Sequence, residues 1–226
     1  MNIIAIETAT SACAVGVRTG AGDEFTRVVD EQRRHSEVLT PALSSLLGEA
    51  GLVPRDVHRV VVDRGPGLFT GLRVGVATAL AFAQALDCEL VAVTSLEMLA
   101  YGAHDRGLRG AFVGCVDGRR GEVFVQDFEL GDHVLERGVP AVAVAVDVAA
   151  RWTRREEVVT VAGDGAARYA SEFEGLAQVV LWDQAVPPVS AALALGMRRT
   201  PVADVTPLYL RDADAVANFS TRQHRT

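Results

Sequence analysis

The stretch Asp63-Arg64-Gly65-Pro66-Gly67-Leu68-Phe69-Thr70-Gly71-Leu72-Arg73 carries the densest chemical signal in the sequence. Two glycines around a proline make a loop with little side-chain bulk, and Thr70 is placed to cap a following helix. Such a loop feeding a helix N-terminus presents unpaired backbone N–H groups and suits an oxyanion. It serves equally as a tight turn that lets strand and helix pack closely. Arg73, in the first helical turn, opposes the helix dipole and so calls for a carboxylate or anion nearby. Two further acidic residues, Glu7 and Asp117, close candidate strands 110 positions apart. Each could help hold a metal–nucleotide complex through water, or anchor its own hairpin by a hydrogen bond.

Other chemistries are excluded by what is missing. All 22 basic side chains are arginine. Without lysine there is no Walker-type phosphate loop, no Schiff-base lysine and no kinase strand lysine. His35, His58, His104, His133 and His224 include no pair three to five residues apart. A metal site built on one helix is therefore absent, and no metal ligands are assigned. With 29 acidic residues the formal charge is −7, which argues against autonomous nucleic-acid binding. Arg119, Arg120, Arg151, Arg154 and Arg155 are read as solvated surface residues. Cys13, Cys88 and Cys115 are odd in number and sit in apolar runs, as reduced core cysteines do. Met1-Asn2 lacks a basic start and Glu7 interrupts the apolar run, so no signal peptide is expected. The longest uncharged apolar window, Val74 to Leu86, is too short to span a bilayer. A cytoplasmic protein without membrane attachment is the expectation.

The elements that must position these residues alternate between strand and helix. Ile3–Ile6 and Ala14–Val17 read as an opening hairpin. A helix is expected from Ser36, its cap, to about Gly51, with Leu39, Leu43 and Leu46 on one apolar face. The strand 60–62 leads through the Gly-Pro-Gly loop into a helix from Thr70 to Leu86. There Gly71, Gly75, Ala79 and Ala83 recur every fourth residue, beside Leu72 and Val76. A ridge of small residues lets another helix approach closely, so this helix is either wholly internal or a docking face. The strand 91–93 and a helix capped by Ser95 complete a first lobe, residues 1–107. A second lobe, 108–205, restarts with the strand 111–116, the turn Gly118-Arg119-Arg120-Gly121 and the strand 123–125. Then come a strand at 158–162, the turn Gly163-Asp164-Gly165, a helix to about Phe173, the strand 179–181 and a helix over 189–199. Residues 206–226 read as a final strand at 208–210 and a polar tail. Alternation of this kind predicts a two-lobed α/β protein.

Four segments resemble the TsaB (YeaZ) family, in order along nearly the whole chain. They are Ile3-Ile4-Ala5-Ile6-Glu7-Thr8-Ala9-Thr10, the Arg64–Arg73 loop, Val116–Phe124 and Pro207-Leu208-Tyr209-Leu210-Arg211. The resemblance implies the actin-like ATPase and sugar-kinase fold with a degenerate nucleotide site. Glu7 and Ala9 stand where that superfamily usually has Asp and Gly. Glu7, Thr8, Asp117, Gly163 and Gly165 would be remnants of the phosphate loops. It further implies a non-catalytic subunit that pairs with a TsaD-type transferase making threonylcarbamoyladenosine at position 37 of tRNA. A TsaE-type ATPase would join, and tRNA would be met only through the complex. The implied interface lies on the first two helices, through His35, Leu39, Leu43, Leu46, Leu72, Gly75, Val76 and Ala79. Arg64, Gly65, Pro66, Gly67, Phe69, Thr70, Gly71 and Arg73 would form the loop beside it. No cofactor is implied. Alternatives are a regulator with weak ATP or ADP affinity, a homodimer through the same helices when alone, and a transferase or metalloprotease-like enzyme, against which the missing histidine pair argues.

Overall fold

The computed structural model describes residues 1–30, 34–153 and 156–211. Strands β1 (Ile3–Glu7) and β2 (Cys13–Arg18) form the expected hairpin, and β3 (Glu24–Val29) adds antiparallel to β2. Sequence patterning does not reveal β3, because it is an edge strand with Arg27 at a half-buried, inward position. Helix α1 (His35–Glu49) returns the chain to β4 (Arg59–Asp63), parallel to β1. Helix α2 (Phe69–Leu86) and β5 (Glu89–Val93) follow, then α3 (Ser95–Asp105). The first sheet has the order β3-β2-β1-β4-β5.

The second sheet begins with the long hairpin β6 (Gly110–Arg119) and β7 (Glu122–Leu130). Strands β8 (Val134–Glu136) and β9 (Ala141–Val144) both pair with β7, and α4 (Ala145–Thr153) leads to β10 (Val159–Ala162). Two short helices, α5 (Asp164–Arg168) and α6 (Ala170–Phe173), precede β11 (Val179–Leu181) and α7 (Val189–Arg198). The order is β11-β10-β6-β7-β8. The fold is thus the two-sheet α/β architecture anticipated.

β1 is buried on both faces, which explains its unbroken Ile-Ile-Ala-Ile run. Ile4 and Ile6 meet Leu39, Leu43 and Val76 beneath α1 and α2. Ile3 and Ala5 meet Val61, Val91 and Leu193 on the opposite face. The sequence division assigns the helix over 189–199 to the second lobe, yet α7 packs on β1, β2 and β4. Its apolar face fits where Gly16 leaves room for Val189 and Leu193.

Local signals differ from expectation at several ends. Ser36 lies inside α1, whose N-cap is Arg34. Thr70 lies inside α2, because the helix is capped two residues earlier, at Leu68, whose N–H donates to the Ala9 carbonyl at 2.7 Å. Thr94, not Ser95, caps α3: Thr94 and Glu97 form a capping box. The Gly163-Asp164-Gly165 segment opens α5 rather than forming a turn. Residues 208–210 make no strand; the Leu208 N–H donates to the Arg64 carbonyl at 2.7 Å. Arg154, Arg155, His224 and most of the polar tail lie outside the described residues.

Candidate functional site

The Gly-Pro-Gly loop is bound on every side to its own lobe. The Gly65–Pro66 peptide is cis, and Gly65 takes a φ of +104°, open to glycine without a Cβ penalty. The Gly65 carbonyl accepts from the Ser95 N–H at 3.1 Å, and the Pro66 carbonyl from the Ser95 hydroxyl at 2.9 Å. Arg64 donates its N–H to the Val93 carbonyl at 3.0 Å. The Thr8 hydroxyl donates to the Gly71 carbonyl at 2.9 Å, tying the β1–β2 loop to the start of α2.

Beneath this loop lie buried acids. Glu7 and Asp63 end neighbouring parallel strands and are both wholly buried. One oxygen of each is satisfied by backbone: Glu7 Oε1 accepts from Ala9 and Thr10 N–H at 2.7 and 3.3 Å, and Asp63 Oδ1 from Gly65 N–H at 2.7 Å. Glu7 Oε2 and Asp63 Oδ2 have no hydrogen-bond partner among the described residues. Burial, and then the neighbouring Asp63, raise the Glu7 carboxyl well above its ordinary value. Burial likewise pushes Asp63 up to about 7, against the Gly65 N–H. Asp164 reaches the same region from the second lobe, pushed up by burial to about 6. Sequence reading gives Glu7 a role but assigns none to Asp63, the first residue of the loop stretch. Its signal is a carboxylate directly after three valines at the end of a buried strand.

Asp117, the other predicted acid, serves its own hairpin. Its Oδ1 accepts the Arg119 N–H at 2.8 Å, while Oδ2 pairs with Arg119 at 3.1 Å and Arg168 at 3.5 Å. Asp164 Oδ1 accepts the Asp117 N–H at 2.8 Å, stitching α5 to β6. Gly163 fits because a Cβ there would strike the Cys115 carbonyl. Gly165 sits nearly as close to the same strand. Among the described residues no cluster of three or more His, Cys, Asp or Glu is arranged to hold a metal.

The expected interface side chains prove to be core. Leu39, Leu43, Leu46, Leu72, Gly75, Val76 and Ala79 are all buried within the chain itself, and His35 donates from Nε2 to the Ala12 carbonyl at 3.1 Å. The small-residue ridge faces inward: a Cβ on Gly71 would strike the Thr8 carbonyl, and one on Gly75 the Thr8 hydroxyl. The two glycines therefore let the start of α2 lie close on Thr8 of the β1–β2 loop. The outward face of α2 is a different set: Ala77, Ala81 and Ala85 are exposed, with Val74, Thr78 and Phe82 half-buried beside them. By length and a mean hydropathy of 1.3, α2 is apolar enough to cross a membrane, yet only 28% of that span is buried. Its inner side is nevertheless packed on the sheet. The outer side of α1, which packs beside it, is polar: Ser36, Glu37, Thr40, Ser44 and Ser45 are exposed. At the head of α2, the Arg73 guanidinium lies 3.8 Å from the Phe69 ring centre and donates from Nε to the Tyr209 hydroxyl at 3.0 Å. The residue expected to need an anion thus has aromatic partners from the C-terminal segment.

Comparisons with known proteins agree with this geometry. The TsaD family model, described as tRNA N6-adenosine threonylcarbamoyltransferase, matches residues 29–215. The Bacillus subtilis tRNA threonylcarbamoyladenosine biosynthesis protein TsaB is 34% identical over 62% of this chain. The chain spans about three fifths of the length of that relative and of its Escherichia coli counterpart. An uncharacterized Mycobacterium tuberculosis protein is 32% identical over 94% of this chain and 93% of its own. A solved Pseudomonas aeruginosa structure, described as similar to peptidase YEAZ, superposes with a TM-score of 0.81 at 27% identity, covering 93% of this chain and 99% of that one. The fold class is that of the actin-like ATPases and sugar kinases.

Proposed function

This chain belongs to the TsaB/YeaZ family of tRNA threonylcarbamoyladenosine biosynthesis proteins, and on that premise we propose that it is a non-catalytic subunit that pairs with a TsaD-type transferase. The observation that carries this reading is the outward face of α2. Val74, Ala77, Thr78, Ala81, Phe82 and Ala85 make a continuous surface without a charge, on a helix whose other side is fixed to the sheet. Uncharged, small-residue helix faces of this kind accept a second helix at close range. The buried acids favour a supporting role as well. Glu7 turns onto its own loop, and Asp117 onto Arg119 and Arg168, so neither is disposed toward a substrate. In this reading the pair supports threonylcarbamoyl transfer to adenosine 37 in the cytoplasm, a TsaE-type ATPase joins it, and tRNA is met through the complex.

Co-purification with a TsaD-type subunit tests the proposal. Ala77→Glu or Ala81→Glu places a carboxylate in the centre of the face without touching the core, and each should abolish the complex. Retention of the complex by both variants would overturn the reading. Gly75→Glu is unsuitable, because it breaks the contact with Thr8.

A further inference from the structure

Arg73 is the one charged residue of α2. Phe69, Arg73, Ala77, Ala81 and Ala85 follow one another at four-residue steps, so they share a single row along the helix. Arg73 and the three alanines are exposed, and Phe69 is half-buried. The uncharged outer face of α2 therefore ends, at the head of the helix, on a guanidinium. A cation at that end opposes the helix dipole, so the helix itself gains nothing from it. Among the described residues its partners are two aromatic rings and one hydroxyl, and none is a carboxylate.

The guanidinium is held rather than free to wander. It lies 3.8 Å from the Phe69 ring centre and 6.0 Å from that of Tyr209, and the two rings are 5.0 Å apart. Its Nε donates to the Tyr209 hydroxyl at 3.0 Å. Tyr209 is fixed in turn by its neighbours in the chain. The Leu208 N–H donates to the Arg64 carbonyl at 2.7 Å, and Leu210 packs on the core that holds Phe112 and Phe124. Arg211 donates to Glu122 at 2.6 Å. With Nε engaged, the two terminal nitrogens of Arg73 keep their N–H donors for another molecule. A side chain ordered in advance loses less entropy when it binds.

We propose that Arg73 is a partner-binding residue whose guanidinium, clamped by Phe69 and Tyr209, takes a carboxylate on the protein that docks along the alanine row. The proposal rests on the reading of that face as the meeting surface with a TsaD-type subunit, and adds the chemistry of one end of the contact. A planar guanidinium matches a carboxylate by two parallel hydrogen bonds. The formal charge of −7 on the chain favours a protein acid over the phosphates of RNA. An uncharged row of alanines lets a second helix slide, and one charge pair at its end fixes the register.

The experiment measures affinity between the full chain and the TsaD-type subunit by calorimetry, at low and at raised salt. Arg73→Gln should weaken binding by about tenfold or more, the loss of one charge-assisted contact, and should flatten the salt dependence. Arg73→Lys should recover part of the affinity, because the charge returns without the fork. Tyr209→Phe keeps the ring and drops the hydroxyl, and should fall between wild type and Arg73→Gln. An unchanged far-UV circular dichroism spectrum confirms that each variant folds. Among single Asp→Asn and Glu→Gln variants of the partner, one should lose as much as Arg73→Gln and add nothing when the two are combined. Ala81→Glu separates the two claims. Loss of the complex by Ala81→Glu with wild-type affinity in Arg73→Gln would overturn this proposal and leave the docking face standing. Failure of the wild type to bind would overturn both. Absence of any coupled acid on the partner would overturn the carboxylate, as would an Arg73→Gln complex of full affinity that fails only to hold tRNA.

Discussion

Replacing Asp63 by Asn should abolish the pH dependence that this one residue imposes on stability. Asp63 is wholly buried, and burial lifts its carboxyl from 3.8 to about 7. A carboxyl held above its unfolded value stabilises the fold fully below about pH 4, and that stabilisation is lost as pH rises through about 7. At about 1.36 kcal/mol per unit, the change corresponds to about 4 kcal/mol. Glu7, on the adjoining strand and raised in the same direction, acts with the same sign. Asn keeps an oxygen for the Gly65 N–H and cannot ionise. Urea unfolding followed by far-UV circular dichroism, at intervals from about pH 4 to pH 8, measures the difference in stability between wild type and Asp63→Asn. That difference should move against the wild type by about 4 kcal/mol across the range. A difference that stays constant with pH would refute the reasoning, since it would mean that Asp63 is not protonated in the folded protein.

Other substitutions test the packing directly. Leu43→Ala removes a wholly buried side chain beneath α1 and should cost about 2–5 kcal/mol, read as a lower urea midpoint. Gly75→Ala drives a methyl group into the Thr8 hydroxyl and should cost about 1–3 kcal/mol in the same measurement. Thr94→Ala removes the α3 cap that meets the Glu97 N–H at 3.2 Å and should cost about 1 kcal/mol, seen in thermal melts.

Much of the architecture could be read from the chain itself, because β1, β4, β6 and β10 are buried runs that period-two and continuous-apolar patterns reveal. Helix α1 and helix α2 were legible for the same reason, through their apolar spacing. The failures share a cause. Spacing states which residues share a helix face, and not which way that face points. Gly71, Gly75 and Ala79 do line one side of α2, but the smallness of Gly71 and Gly75 is required by Thr8 in the β1–β2 loop rather than by a second helix. Likewise Leu39, Leu43 and Leu46 satisfy the chain's own core. Caps were misplaced by one or two residues at Ser36, Thr70 and Ser95, since the deciding bonds at Leu68 and Thr94 involve tertiary or reciprocal partners. Asp63 receives no role from the sequence because its chemistry comes from burial beside Glu7, a property of strand neighbours 56 residues apart that no local window contains.

The return of α7 to the first sheet has a bearing on how the protein is made. The first sheet emerges early from the ribosome, yet the helix that covers the face of Ile3, Ala5, Val61 and Val91 is encoded after the whole second sheet. In chain order the second sheet lies between the strands of the first sheet and the helix that covers them. The first lobe therefore waits for its own cover, and a nascent chain that ends before residue 189 leaves an apolar sheet face bare. A stalled or truncated product of this gene would be a client for chaperones rather than half of a working protein.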